Sequence, residues 1–284
     1  MKKVLIVHDI SCYGKCSTTV ALPIISSMEL AGVLLPTALL STHTAGFKNY
    51  TCLDLSKEMP KIVEHWHSFN LKFDAIYVGY LGGIDQIHYL KETIPTLLSR
   101  EGKFYLDPVM ADNGEFYPAF NEDYAKEMRA LCDMADVIMP NQTEASFIYD
   151  LPYQEGIGGL DVVDTLIQEA KSHQQSLILT GAGYDDQGQT GAYYYDNESE
   201  EQGLLQDRFV GGRFHGTGDI FGSIVVGVHV NGASLKDATQ LAVKTLPEMI
   251  EHSQMNENVM MDGLDFEKSL GDLSMFVRQL KQTK

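Results

Sequence analysis

Short runs of β-branched and aliphatic residues alternate with longer amphipathic segments along most of this chain, a rhythm that marks parallel βαβ units. Val4 to Val7 reads as a buried strand, followed by a helix from about Ser17 to Ala31. Leu34 to Leu40 reads as a second strand, with Pro36 placing that part at an edge or a bend because it cannot donate to a ladder. Helix Leu53 to Phe69 leads to strand Ala75 to Val78, and helix Gln86 to Ser99 to strand Phe104 to Leu106. Helix Asn121 to Cys132 precedes strand Val137 to Met139, and helix Val162 to Ser172 precedes strand Leu177 to Leu179. Beyond Thr180 the pattern changes: Gly188 to Asp196 and Leu204 to Val210 read as antiparallel strands around the polar loop Asn197 to Gln202. Helices Gly218 to Val230, Leu235 to Glu251 and Leu264 to Leu280 complete the reading. The expected fold is an α/β three-layer αβα sandwich on a mostly parallel sheet, formed by residues 1–284 as one domain.

Charge narrows the partners. A formal net charge of -18 argues against nucleic acid and anionic membrane, since both require a basic face. Small molecules and metal cations remain. An acidic chain that binds an anionic substrate must neutralise it locally, with backbone donors and a divalent ion. Cys12, Cys16, Cys52 and Cys132 form no CxxC pair, and the N-terminus lacks a signal-peptide pattern, so a reducing cytoplasm is expected. Cys12 and Cys16 with His8 would fall short of a zinc site, which requires about four ligands, and the thiols read as inert. The richest apolar stretch, Ile220 to Val230, is interrupted by Gly, Ser and His and is too short to span a bilayer.

Ligands of doubly wound sheets sit outside the carboxyl ends of the strands, so polar and Gly-rich residues there are the candidates. His8 to Gly14 follows the first strand, and Ser41 to Gly46 the second. Gly79 to Gly83, Asp107 to Asp112, Pro140 to Glu144 and Thr180 to Gly183 follow later ones. Gly14-Lys15 and Gly102-Lys103 are followed by Cys16 and Phe104, which excludes a Walker loop, and no GxGxxG opens the first helix. Gly216-Thr217-Gly218-Asp219 precedes an apolar helix, whose amides can converge on a phosphate while Asp219 accepts a hydroxyl proton. Taken alone, the same residues describe an ordinary glycine turn with an acid at a helix start. Asn141 and Glu144 read equally as a capping box or as a Mg²⁺ site in which Glu144 acts through water. Asp107 and Asp112 are cation-site or loop carboxylates, His43 and Thr44 are substrate or capping residues, and Tyr80 is an aromatic platform or a buried sheet-end tyrosine.

In order and approximate spacing, Gly79-Tyr80-Leu81-Gly82, Asp107-Pro108-Val109-Met110, Pro140-Asn141-Gln142-Thr143-Glu144 and Gly216-Thr217-Gly218-Asp219 resemble the pyridoxal kinase branch of the ribokinase-like superfamily. The resemblance runs from Val4 to about Glu251. It implies ATP-dependent phosphorylation of the hydroxymethyl group of pyridoxal, pyridoxamine or pyridoxine. Asp219 would be the base, and the amides of Gly216, Thr217 and Gly218 the anion hole. Asn141 and Glu144 would fall on the magnesium and phosphate motif, Asp107 and Asp112 near the cations and ATP phosphates, and Thr180 and Gly181 on the nucleotide side. Thr44 and Tyr80 match the vitamin pocket, and Asn113 to Phe120, including Tyr117, a flap over the site. The resemblance also implies a homodimer, and a monovalent cation such as K⁺ is a further cofactor expectation beside ATP and Mg²⁺. Asp9 stands where many pyridoxal kinases carry Ser, near the polar edge of the pyridine ring, and Ala111 stands where Gly is common. The nearest alternative is a hydroxymethylpyrimidine/phosphomethylpyrimidine kinase of thiamine synthesis, followed by a non-catalytic vitamer-binding protein and a dinucleotide-dependent oxidoreductase. A sugar kinase fits less well because the Tyr80 segment suggests an aromatic-ring pocket.

Overall fold

A computed structural model of the chain describes residues 1–44, 46–153, 162–183, 188–212 and 214–283. Among these, nine strands form the main sheet in the order β11-β10-β9-β8-β5-β4-β1-β2-β3. Their ranges are β1 Lys3–Ser11, β2 Ala31–Leu40, β3 Cys52–Asp54, β4 Phe73–Val78, β5 Leu98–Leu106, β8 Val137–Ile138, β9 Ser176–Ala182, β10 Gln189–Tyr195 and β11 Gln202–Arg208. The block from β9 to β2 is parallel, whereas β3, β10 and β11 pair antiparallel at the two margins. The remaining strands, β6 Ala111–Asp112 and β7 Glu115–Phe116, make a small hairpin.

Strand alternation divides the core between the two faces. Leu5, Val7, Ile76, Val78, Phe104 and Leu106 pack on one side with helices α2 Met59–His67, α3 Ile84–Leu97, α4 Glu122–Cys132, α5 Gln142–Tyr149 and α6 Val163–Ser172. Val4, Ile6, Ala75, Tyr77, Tyr105 and Val137 pack on the other with α1 Thr18–Ser27, α7 Thr217–Val230, α8 Leu235–Ser253 and α10 Leu270–Gln282. These are the expected three layers. Helix α9, Val259–Asp262, and a 3₁₀ turn, Phe266–Ser269, lead into α10.

Several expected boundaries are corrected. The first helix stops at Ser27 rather than Ala31, because Glu29 takes a left-handed conformation (φ 61°) and Ala31 already opens β2. The segment expected to be helical from Leu53 begins as an edge strand, and α2 starts only at Met59, with Pro60 in its first turn. Leu98 and Ser99 belong to β5, not to the preceding helix. Pro36 sits inside β2, paired with His8 on one side; β3 covers the outer side only at Ala38 to Leu40, so no ladder donor is missing. The last helix, expected from Leu264, begins only at Leu270, after the 3₁₀ turn.

The strand order reverses at β1, which has β2 on one side and the earlier-to-later series β4, β5, β8, β9 on the other. The crevice at the carboxyl ends of β1 and β4 is therefore the topological switch point. Residues His8–Asp9 and Gly79–Tyr80 lie there.

Candidate active site

Helix α7 aims at this crevice. Its N-cap, Gly216, has φ 80°, and a Cβ there would lie 2.8 Å from the Lys15 carbonyl oxygen, so only glycine brings the turn this close to the β1–α1 loop. The first-turn amides have no carbonyl within the helix, which leaves them for an anion. Asp219, in that turn, is buried, and both carboxylate oxygens are held by residues far away in sequence. Oδ1 lies 3.0 Å from His8 Nε2, while Oδ2 accepts the Ser17 N–H at 2.7 Å and the Cys16 thiol at 3.2 Å. Burial pushes the Asp219 carboxyl up, but the hydrogen bond and charge of His8, with the Ser17 and Cys16 donors, hold it below the ordinary carboxylate range. It is an ionised acceptor at neutral pH.

His8 is 1% exposed. Its Nδ1 lies 3.2 Å from Asp9 Oδ1, and Ser11 Oγ donates to Asp9 Oδ2 at 3.2 Å. The Tyr80 amide also approaches Nδ1, at 3.3 Å, a contact that only a neutral ring could accept. Two carboxylates outweigh one amide: burial lowers the His8 pKa, but the hydrogen bonds and charges of Asp219 and Asp9 raise it to about 10. These two carboxylates favour the protonated ring, with Nδ1 facing Asp9 and Nε2 facing Asp219.

A second group of carboxylates lies beside the first. Asp107, at the end of β5, is buried and has no side-chain hydrogen bond among the described residues; burial and the Asp219 charge raise its pKa to about 7, against the opposing charge of His8. A Cβ on Gly218 would sit 3.8 Å from Asp107 Oδ2, which places this carboxylate against the glycine turn. Glu144 completes a capping box on α5: its Oε2 accepts the Asn141 N–H at 2.9 Å, and Asn141 Oδ1 accepts the Glu144 N–H at 2.9 Å. Its Oε1 also accepts the Met110 N–H at 3.1 Å. Burial, with the neighbouring Asp107 charge, pushes the Glu144 carboxyl well up despite these amides. The capping reading of Asn141 and Glu144 is thus observed directly, and the box also ties the loop after Asp107 to α5.

The expected flap is a docked hairpin. Asn141 Nδ2 donates to the Ala111 carbonyl at 2.8 Å, the Gly114 N–H to Thr143 Oγ1 at 3.0 Å, and Phe116 stacks on Phe147 at 4.1 Å. Asp112 is occupied by Asn113, which donates to it from its backbone and side chain. Tyr117 follows β7, within the electrostatic reach of Glu144, Asp112, Asp107 and Asp219; burial and these charges raise its phenol. Thr180 donates its N–H to the Pro140 carbonyl at 2.9 Å, and the Gly181 carbonyl accepts from Gln142 at 2.6 Å, so both residues adjoin Asn141. Tyr80 packs on Phe120 at 5.6 Å, its phenol pushed up to about 12 by burial and the Asp9 charge. Thr44 is exposed, beside His43, whose ring packs 5.3 Å from that of His215 just before the glycine turn.

His8 falls in the strand-end set His8 to Gly14 but has no role assigned from the sequence, and Cys16 and Ser17 lie outside that set. A signal existed for His8, a polar residue continuing the apolar run Val4 to Val7; nothing local marked Cys16, whose thiol, read as inert, contacts Asp219. Burial and the Asp219 charge raise that thiol well above its usual range, so it stays a donor.

Among the described residues no group of three or more His, Cys, Asp or Glu is arranged to hold a metal ion, and no helix is long and apolar enough to cross a membrane. Asp107 and Glu144 nonetheless fit a hydrated divalent cation: they are buried acids with too little positive charge nearby, and Mg²⁺ takes few direct protein ligands.

A sequence model of the phosphomethylpyrimidine kinase family matches residues 22–261. The chain is 28% identical over 185 residues to the pyridoxine kinase of Bacillus subtilis, a match that takes in 63% of this chain and 65% of that protein, just under two thirds. A protein from Bacteroides thetaiotaomicron, provisionally named a phosphomethylpyrimidine kinase and solved with pyridoxal, superposes with a TM-score of 0.90 at 35% identity over 96% of both chains. Pyridoxal kinase from Lactobacillus plantarum gives a TM-score of 0.87 at 29% identity, covering 100% of this chain and 99% of that one.

Proposed function

The chain belongs to the phosphomethylpyrimidine kinase family, and from that premise we propose that it transfers the γ-phosphoryl group of ATP to the hydroxymethyl group of pyridoxal, pyridoxamine or pyridoxine. The observation that carries the reading is Asp219, an ionised carboxylate in the first turn of α7, beside open amides at the switch point of the sheet. Pyridoxine and pyridoxal kinases among the relatives, and a related structure solved with pyridoxal, support the choice of vitamer.

In this reading Asp219 accepts the proton of the primary hydroxyl as its oxygen attacks the γ-phosphorus in line, and the Gly216, Thr217 and Gly218 amides meet the charge on the transferring oxygens. Asp107, Asn141 and Asp112, with Thr180 and Gly181 on the outer side, face the nucleotide. Asp107 and Glu144 would hold Mg²⁺, Glu144 through water, and the ion would neutralise phosphate charge in a site otherwise rich in carboxylates. A monovalent cation such as K⁺ is part of the same proposal. Asp9, Thr44, Tyr80 and Tyr117 enclose the vitamer, with Tyr80 supplying an aromatic face. Residues 1–284 act as one ribokinase-like domain, working as a homodimer in a reducing cytoplasm.

Steady-state kinetics with ATP and pyridoxal, pyridoxamine or hydroxymethylpyrimidine tests the substrate. The highest kcat/KM belongs to a B6 vitamer; a strong preference for the pyrimidine assigns the enzyme to thiamine synthesis instead. Failure to consume ATP with any of the three would leave a vitamer-binding protein.

A further inference from the structure

We propose that His8 is the positioning residue of this centre: clamped between Asp9 and Asp219, its ring fixes the direction in which the Asp219 carboxylate meets the substrate. The inference rests on the reading of Asp219 as the base.

The geometry is a continuous chain of buried groups. Ser11 holds Asp9, Asp9 holds His8 Nδ1, and His8 Nε2 holds Asp219 Oδ1. Ser17 and Cys16 both bind Oδ2, and two donors on one oxygen leave a carboxylate free to swing about that point. The bond to Oδ1 removes that freedom, and loss of near-attack geometry by about 1 Å can cost about 10²-fold in rate.

The protein makes room for the ring in one specific way. A Cβ at Gly79 would lie 2.1 Å from His8 Nε2, so the end of β4 must be glycine for the imidazole to reach α7. Tyr77, on the same strand, meets the ring edge-on at 81°. Among the described residues, the titratable groups around the pair are Asp9 on β1, Cys16 in the following loop, Tyr77 on β4, Asp107 at the end of β5 and Tyr117 after β7. Among the described residues, the positive charge that lowers the Asp219 carboxyl is that of His8.

The test uses the full chain with ATP and the preferred vitamer. His8→Ala should lower kcat about 10²-fold, with the KM for ATP within about twofold of the parent. His8→Gln, which retains a side-chain donor toward Oδ1 but no charge, should recover about tenfold of that loss. In both variants the acid limb of the kcat profile should move to higher pH, because Asp219 loses the cation that holds its carboxyl down; a packing role would leave that limb in place. ¹⁵N spectra of labelled histidine should show both His8 nitrogens protonated at neutral pH. Unchanged kcat in His8→Ala beside an inactive Asp219→Asn overturns the positioning role and spares the base. Equal losses in the two His8 variants, with an unmoved acid limb, assign the ring to packing and also overturn it. If His8→Ala fails to fold, the His8→Gln limb and the ring spectrum decide. Full turnover in Asp219→Asn removes the base, and the proposal with it.

Discussion

His8 Nε2 and Asp219 Oδ1 lie 3.0 Å apart although 211 residues separate them in sequence. The pair joins the first strand of the sheet to the helix that carries the glycine turn, so it is both a tertiary staple and part of the candidate site. Because the folded-state pKa of His8 is raised to about 10, its stabilising contribution is fully present below the ordinary histidine value of 6.5 and disappears as pH passes about 10. The stability advantage of the parent over His8→Gln in urea denaturation should therefore be largest near pH 6 and fall to a constant baseline above pH 10. A pH-independent difference contradicts the ion pair.

Asp107 has the same sign in a lower pH window, but its protonated form is the neutral one. Its carboxyl is raised to about 7, so between roughly pH 4 and 7 the unfolded chain ionises first and the native state loses stability as pH rises. Asp107→Asn should make the ligand-free protein more stable than the parent at pH 8, with the difference closing near pH 4. Equal denaturation midpoints at pH 8 contradict the placement of Asp107 as an uncompensated buried acid.

Asn141 does two jobs, capping α5 and holding the Ala111 carbonyl of the β6–β7 hairpin. Asn141→Ala should cost about 1–2 kcal/mol of stability. It should also speed amide hydrogen exchange at Asp112 to Tyr117, since the hairpin loses one of its ties to α5. Unchanged exchange there contradicts docking through this residue.

Gly216 permits the left-handed turn before α7 and the approach to the Lys15 carbonyl. Gly216→Ala should cost roughly 1–2 kcal/mol in backbone strain alone. The KM for ATP should rise as well, because the amides that follow are displaced. A variant with parental stability and kinetics contradicts the assigned turn.

The layered fold was legible because strands buried on both faces are near-continuous apolar runs, as in Val4 to Val7 and Ala75 to Val78, and their period is short. Edge elements were not. Cys52–Asp54 is exposed throughout and three residues long, and the two-residue strands of the β6–β7 hairpin have no pattern to read. At the site, Gly216 to Asp219 and Asn141 to Glu144 could be found because each is contiguous and carries its own local geometry. Asp219's partners could not, because the bonds from His8, Cys16 and Ser17 arise only when β1 and the loop after it meet α7. Gly79 shows the same limit: it reads as a loop glycine until the His8 ring is seen to occupy the space of its missing side chain.

The most direct test of the account is single-turnover phosphoryl transfer from ATP to pyridoxal by Asp219→Asn, with nucleotide binding measured on the same preparation. Parental folding and nucleotide affinity are expected, with the chemical step slowed by about 10²–10⁴-fold. A chemical step at the parental rate would contradict it.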